Sequence, residues 1–178
     1  MTADTGIPDR IEVVAFRRRD LPAIVKWRND PAVNRYLRPA YRTLPEVEDW
    51  YEHYFGAQGN RLFAVLTDGT LVGYCTIEAI ERENNKCELG IVIGEERYRR
   101  RGIGTAAIRQ LLRMAFAELG MHRVEAVIHG DNVASVTCFS RLGFRLDARL
   151  RDARCRDGTY VDLLVYSLLD SEWPEDRA

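Results

Sequence analysis

The sequence predicts an α/β domain, a mixed sheet with helices packed against it, and three observations predict it. Apolar runs flank Asp68-Gly69 and Asp157-Gly158, each a signal for a two-residue hairpin between antiparallel strands. Between these hairpins a strand, a helix with an apolar stripe and a second strand follow in succession, the signature of a parallel crossover. The chain has 178 residues, 46% hydrophobic and 30% charged, with no internal repeat, low-complexity stretch or Pro/Gly-rich linker to divide it. Residues 1–178 therefore read as one domain with an ordered core of about 10–170, long enough to bury about two-thirds of its extended surface.

Ile11 to Phe16 (IEVVAF) reads as the first strand. Asp20 caps a short helix that tolerates Pro22 in its first turn and carries IVKWRNDP. A second helix begins at TLPE, where Thr43 and Glu46 stand at capping-box spacing, and continues through VEDWYEHYF. RLFAVL and TLVGYCTIEAI make the first hairpin, and the polar turn ERENNK leads into the strand CELGIVI. Ile108, Leu111, Leu112, Ala115, Phe116 and Leu119 then form one helical stripe, closed by Gly120. HRVEAVIH is a strand, NVASVTCFSRL a short helix ending at Gly143, and FRLDARLRDARC pairs with TYVDLLVYSLL. The closing EWPEDRA reads as frayed. The order is β-α-α-β-β-β-α-β-α-β-β. A right-handed crossover in its parallel unit puts the start of the long helix at the carboxyl end of CELGIVI, where open sheets bind ligands.

The formal net charge is −1, so nothing global draws the molecule to nucleic acid or an anionic membrane. In RLDARLRDARCRDG the basic residues alternate with acids and apolar residues, which gives no continuous cationic stripe. Neither a nucleic-acid nor a membrane partner is expected. MTADTGIPDR lacks the apolar core of a signal peptide and no apolar run reaches spanning length, so a cytoplasmic location is expected. Cys75, Cys87, Cys138 and Cys155 are widely spaced and the histidines are only His53, His122 and His129. No metal site is expected, and the cysteines read as reduced thiols.

The stretch YRRRGIGTAAIRQLL carries the sharpest signal. Unpaired amides at a helix start, with the positive end of its dipole, make an anion site. Gly102 and Gly104 would let a ligand approach the backbone, and Arg99, Arg100 and Arg101 bring positive charge. A plain helix cap beside a solvated arginine run fits the same residues. GIGTAA also satisfies G-x-G-x-x-A, the dinucleotide fingerprint, but GEERYRRR separates it from its strand and Glu125 falls inside a strand rather than at its end.

These residues resemble the GNAT family of acetyl-CoA-dependent N-acetyltransferases, whose pyrophosphate loop Q/R-x-x-G-x-G/A is matched by Arg99, Gly102 and Gly104. A second family segment, N-x-x-A/S followed by a short helix and G-F, is matched by Asn132, Ser135, Gly143 and Phe144. The resemblance runs from Ile11 to about Leu169 and is closest to the RimJ/RimL-like branch. It implies the GNAT fold, with the sheet splayed between strands 4 and 5. It also implies acetyl transfer from acetyl-CoA to a primary amine by direct attack, without a metal, and a homodimer as one arrangement.

By the same resemblance the coenzyme is held by Ile91, Val92 and Ile93, by the loop Arg99, Arg100, Arg101, Gly102, Ile103, Gly104 and Thr105, and by Asn132, Ser135, Phe139 and Arg141. Glu88 is the implied base, directly or through water; an edge carboxylate paired to an arginine is the structural alternative. Phe139 departs from the family pattern, since many members carry there a tyrosine that protonates the leaving thiolate. Ser135, Cys138 or water could assist, although Cys138 suits a core position. Acceptor recognition is assigned to Trp27, Arg28, Asn29, Tyr160 and Asp162. Against this, Trp27 suits a core anchor, Arg28 an ion pair, and Asp162 a partner for Arg154 or Arg156. The acceptor is an aminosugar, polyamine, antibiotic or protein N-terminus; a coenzyme-binding protein with little turnover is the alternative that Phe139 motivates.

Overall fold

The computed structural model describes residues 10–37, 43–56 and 59–174. Seven strands form one sheet: β1 (Ile11–Ala15), β2 (Arg61–Thr67), β3 (Thr70–Glu81), β4 (Lys86–Ile93), β5 (Arg123–His129), β6 (Arg145–Arg156) and β7 (Thr159–Leu169). Their spatial order is β1-β2-β3-β4-β5-β7-β6, and β4 with β5 is the parallel pair. The helices are α1 (Leu21–Asn29), α2 (Pro31–Asn34), α3 (Leu44–Trp50), α4 (Ile103–Arg113) and α5 (Val133–Arg141). The element order and mixed sheet are those the sequence predicts, with the first helical region divided at Asp30, whose side chain accepts from the Ala32 N–H.

The local signals mostly act as read. Asp68 and Gly69, and again Asp157 and Gly158, take positive φ, as a tight hairpin turn of this hand requires. The Thr43 N–H donates to Glu46 Oε2 at 2.8 Å, one arm of the expected box. Asp20 departs from expectation: its side chain makes no capping bond, because a 3-10 turn, Arg18–Asp20, leads directly into α1. Part of EWPEDRA is also ordered. Glu172 pairs with Arg145 at 2.9 Å, and Trp173 lies 6.4 Å from the Phe116 ring; residues 175–178 lie outside the described ones.

Two apolar cores lie on opposite faces of the sheet. One joins α4 and α5 to Cys75, Ile77, Cys87, Leu89, Val124, Ala126 and Leu168. The other joins α1, α2 and α3 to Leu62, Ala64 and Tyr74. Burial pushes up the thiols of Cys75 and Cys87, the latter to about 12, so both are inert core residues. Among the described residues no helix is long and apolar enough to cross a membrane.

Candidate active site

Parallel pairing of β4 with β5 covers only Lys86 to Glu88 against Arg123 to Glu125. Beyond Glu88 the strands part, and a cavity of about 470 Å³ opens in the gap. Glu88 to Val92 line one side of it, and Ala126 to His129 the other. Ser135 and Phe139 reach it from one face of the sheet, and Arg28, Trp50 and Tyr54 from the other. The cavity therefore crosses the sheet, and two reactants can meet in it from opposite faces.

The backbone of β4 is left open there. The Gly94 N–H donates to Val72 O at 2.9 Å, so by the alternation of an antiparallel ladder the main-chain groups of Ile91 and Ile93 face the gap. The Ile93 carbonyl is taken by Arg99, whose Nε donates to it at 3.1 Å while a second nitrogen donates to Gly94 O at 3.0 Å. The Arg99 side chain thus holds the end of β4 to the loop after it.

That loop ends in an uncapped helix start. The first bond of α4 runs from the Ala106 N–H to Gly102 O at 3.0 Å, which leaves the amides of Ile103, Gly104 and Thr105 without an intrahelical acceptor. Arg100 and Gly102 both take left-handed φ, +61° and +77°; glycine adopts this at no steric cost and arginine does not. A Cβ on Gly104 would meet only Ile91 and Cys138, at ordinary contact distances of 3.8 and 3.9 Å. The protein's own packing does not require that glycine. Thr105 Oγ1 lies 3.5 Å from Cys138 Sγ, which ties the start of α4 to α5.

The helix α5 starts differently. Asn132 Oδ1 accepts from the Ser135 N–H at 3.2 Å, so this terminus is capped from within. Both residues line the cavity. Phe139, 3% exposed, packs edge-on to Phe144 at 5.0 Å. Arg141 lies at the far end of α5, in a separate small cleft with Arg109 and Trp173.

The structure thus gathers Glu88, Ile91, Val92, Asn132, Ser135, Phe139 and Arg28 around one cavity and leaves other expected residues away from it. Trp27 is 2% exposed and does not line the cavity; its ring lies on Gly94 and its Nε1 donates to Glu95 at 2.9 Å. This is the core-anchor alternative. Arg28 does line it, with its guanidinium 4.8 Å from the Trp50 ring centre. Asn29 turns back to donate to Val25 O at 2.9 Å. Tyr160 is 63% exposed on the last hairpin. Asp162 pairs with Arg149 rather than Arg154 or Arg156 and accepts from the Asp152 N–H at 2.9 Å. That backbone bond, with Arg149, holds its carboxyl below the usual range.

The cavity wall also holds Tyr36, Trp50, Tyr54, Thr76, Glu78 and His129, which motif reading misses. A signal was present for two of them: Thr76 and Glu78 are polar positions in an otherwise apolar central strand. Among the described residues no group of His, Cys, Asp and Glu could hold a metal ion.

A splayed parallel pair, an uncapped helix start beside it and a cavity through the sheet define an acetyltransferase of the GNAT type. The chain belongs to this family: the acetyltransferase (GNAT) domain model matches residues 10–145, and the protein is an N-acetyltransferase. It is 34% identical over 131 residues to YdaF of Bacillus subtilis (strain 168), assigned as a ribosomal N-acetyltransferase, covering 74% of this chain and 70% of that one. It is 24% identical to the spermidine N(1)-acetyltransferase of Escherichia coli (strain K12), over 92% of this chain and 88% of that one. Among solved structures, the Vibrio cholerae spermidine N-acetyltransferase in complex with CoA and spermine superposes with a TM-score of 0.84 at 22% identity. That match covers 91% of this chain and 96% of the other and shows the shared fold.

Proposed function

We propose that this enzyme takes acetyl-CoA as acyl donor and a primary amine as acceptor, joined in one ternary complex. The acceptor is a small-molecule amine, such as an aminosugar, a polyamine or an antibiotic, or a protein N-terminus. The observation that carries the reading is the parting of β4 from β5 after Glu88, which opens a cavity through the sheet beside an uncapped helix start.

The residues fit the coenzyme. The amides of Ile103, Gly104 and Thr105 suit a diphosphate, helped by the dipole of α4 and the charges of Arg100 and Arg101. Gly104, for which the protein's own packing has no need, keeps their approach open. Ile91, Val92, Asn132, Ser135 and Phe139 line the passage for the pantetheine arm. When bound, acetyl-CoA supplies a thioester carbonyl for the amine to attack and a thiolate that leaves.

The Ile91 N–H, facing the gap, is the donor that polarises a carbonyl oxygen there. Glu88 takes the proton from the acceptor nitrogen. Phe139 has no proton to give, so the leaving sulfur is protonated by water or by a hydroxyl such as Ser135. Two copies are expected to pair at β6, the edge of the sheet, where Leu146 and Leu150 are 51% and 46% exposed.

Calorimetry with acetyl-CoA, followed by thiol release with an amine panel, tests the reading. Binding with turnover supports it. Binding without turnover on any amine favours a coenzyme-binding protein, and absence of binding removes both. Glu88→Gln should lower kcat about a hundredfold and flatten the pH–rate profile; an unchanged profile takes Glu88 out of the chemistry.

A further inference from the structure

On the face of the sheet covered by α1 and α3, the cavity wall carries a second carboxylate. Glu78 on β3 stands directly across from Glu88 on β4, and both line the cavity. Like charges opposite one another weaken a strand pair, so the pairing of β3 with β4 does not by itself call for this placement. The next pair on that face is Thr76 with Gly90. Thr76 is 3% exposed and lines the cavity, and its Oγ1 is buried with no hydrogen-bond partner among the described residues. A buried hydroxyl is costly to leave unpaired. A Cβ on Gly90 would lie 2.5 Å from that oxygen, so the glycine keeps the hydroxyl's surroundings clear.

The backbone is bent to present Glu78. Its neighbour Ala79 has φ +48°, and the register with β4 shifts between Glu78 and Glu81. A left-handed non-glycine residue at a bulge is the kind of strain that re-aims a side chain at a site. Asn60, 8% exposed, holds the bend: its Oδ1 accepts from the Ala79 N–H at 3.0 Å, and its Nδ2 donates to Tyr54 O at 3.0 Å. Tyr54 sits in a π-helical turn, Tyr51–Gly56, and donates its hydroxyl to Glu78 Oε2 at 2.6 Å. Such turns recur at functional sites. The Trp50 ring stacks on Tyr54, centres 6.5 Å apart, and lines the cavity beside it.

We propose that Thr76, Glu78 and Glu88 form the seat of the acceptor's ammonium group, so that the enzyme acts on aliphatic amines that arrive protonated. This rests on the acetyltransferase reading for the reaction and on the cavity wall for the seat. The ammonium donates hydrogen bonds to the Glu78 carboxylate and to Thr76 Oγ1. One of its protons passes to the Glu88 carboxylate, which becomes a carboxylic acid, and the lone pair left on nitrogen is the one that attacks. Trp50 and Tyr54 offer ring faces to the cation and to its carbon chain. An arylamine, uncharged near neutral pH, gains nothing from this seat.

The test needs no turnover. The protein, with threonine methyl groups labelled and the Thr76 signal assigned by its loss in Thr76→Val, is titrated with n-hexylammonium chloride and, separately, with hexan-1-ol. The expected result is a saturable shift of the Thr76 methyl with the ammonium and none with the alcohol. Glu78→Gln should weaken the ammonium's Kd by about tenfold or more. Thr76→Ser, which keeps the hydroxyl, should stay within about twofold when binding is followed by calorimetry. Equal shifts with both probes, no shift with either, or an unchanged Kd in Glu78→Gln would each overturn the seat. Acetyl-CoA calorimetry on the same samples separates the two readings: coenzyme binding without ammonium binding removes the seat alone. Ammonium binding without coenzyme binding removes the transferase reading and leaves the seat standing.

Discussion

The two halves of the cavity are built from different materials. On the side proposed for the coenzyme the groups that set the site are chiefly backbone: the amides at the start of α4 and the Ile91 N–H in the gap. On the side proposed for the acceptor they are side chains: Arg28 from α1, Trp50 from α3, Tyr54 from the π-helical turn, Thr76 and Glu78 from β3. A site made of backbone writes itself into local sequence, because it needs glycines and a helix start at fixed spacing. A site made of side chains converges from elements far apart in the chain, and its residues carry no common spacing.

That difference explains what was legible. The hairpins at Asp68-Gly69 and Asp157-Gly158, the parallel crossover and the loop before α4 rest on local rules, and the structure contains each of them. The tryptophan of α1 illustrates the opposite case. Trp27 and Arg28 are adjacent, yet the helix turns one onto Gly94 in the core and the other toward the cavity. Composition of the segment cannot decide which; the packing of α1 on the sheet does. Thr76 and Glu78 escaped notice because their meaning depends on Glu88 and Tyr54, ten residues and more away in sequence. Asp162 has several arginines in reach, and the strand register, which shifts between Leu146 and Ala148 and again between Leu150 and Arg154, leaves Arg149 as its partner.

The variant that separates the two sides most sharply is Gly104→Glu. The loop pattern admits alanine at this position, so a methyl group alone would not test it. On the protein alone the change is mild, since an added Cβ meets only ordinary contacts and an acid in the first turn suits the dipole of α4. If the amides there hold the coenzyme's diphosphate, the new carboxylate competes for them, and acetyl-CoA binding should weaken on the order of a hundredfold, about 3 kcal/mol. Thermal melting and calorimetry on one sample read the two effects. Unchanged affinity would mean that the start of α4 is only a helix start.

Asn60→Ala addresses the other half. Removing the amide takes away the bonds to the Ala79 N–H and Tyr54 O, a loss of about 1–2 kcal/mol in stability. The acceptor KM should rise because Glu78 loses its bend, while the KM for acetyl-CoA stays put. A parallel rise in both would show that the two halves are not independent. Gly102→Ala should cost about 1 kcal/mol of stability, because alanine resists the φ of +77° although no neighbour lies within 4 Å of its Cβ.

The smallest effect concerns Glu95, which links the two halves. Its carboxylate accepts from Lys26 at 2.5 Å and from Trp27 Nε1 at 2.9 Å, so it joins α1 to the segment between β4 and the loop before α4. The bond from Lys26, then that from Trp27, holds its pKa below the ordinary 4.5. A carboxyl whose folded pKa is depressed contributes stability that is fully present above its unfolded value and is lost as pH falls through the folded one. The contribution should therefore be intact at pH 6 to 8 and fade only below about 4.5. Because Lys26 is mostly exposed, salt screens that part of the interaction and the effect is modest. Glu95→Gln should melt slightly lower than wild type at neutral pH and approach it in acid, as protonation removes the charge from the wild type too. If the gap between the two melting curves is the same at pH 7 and pH 3.5, the anchor of Trp27 depends on shape alone, and the carboxylate adds no charge-dependent hold between α1 and the loop before α4.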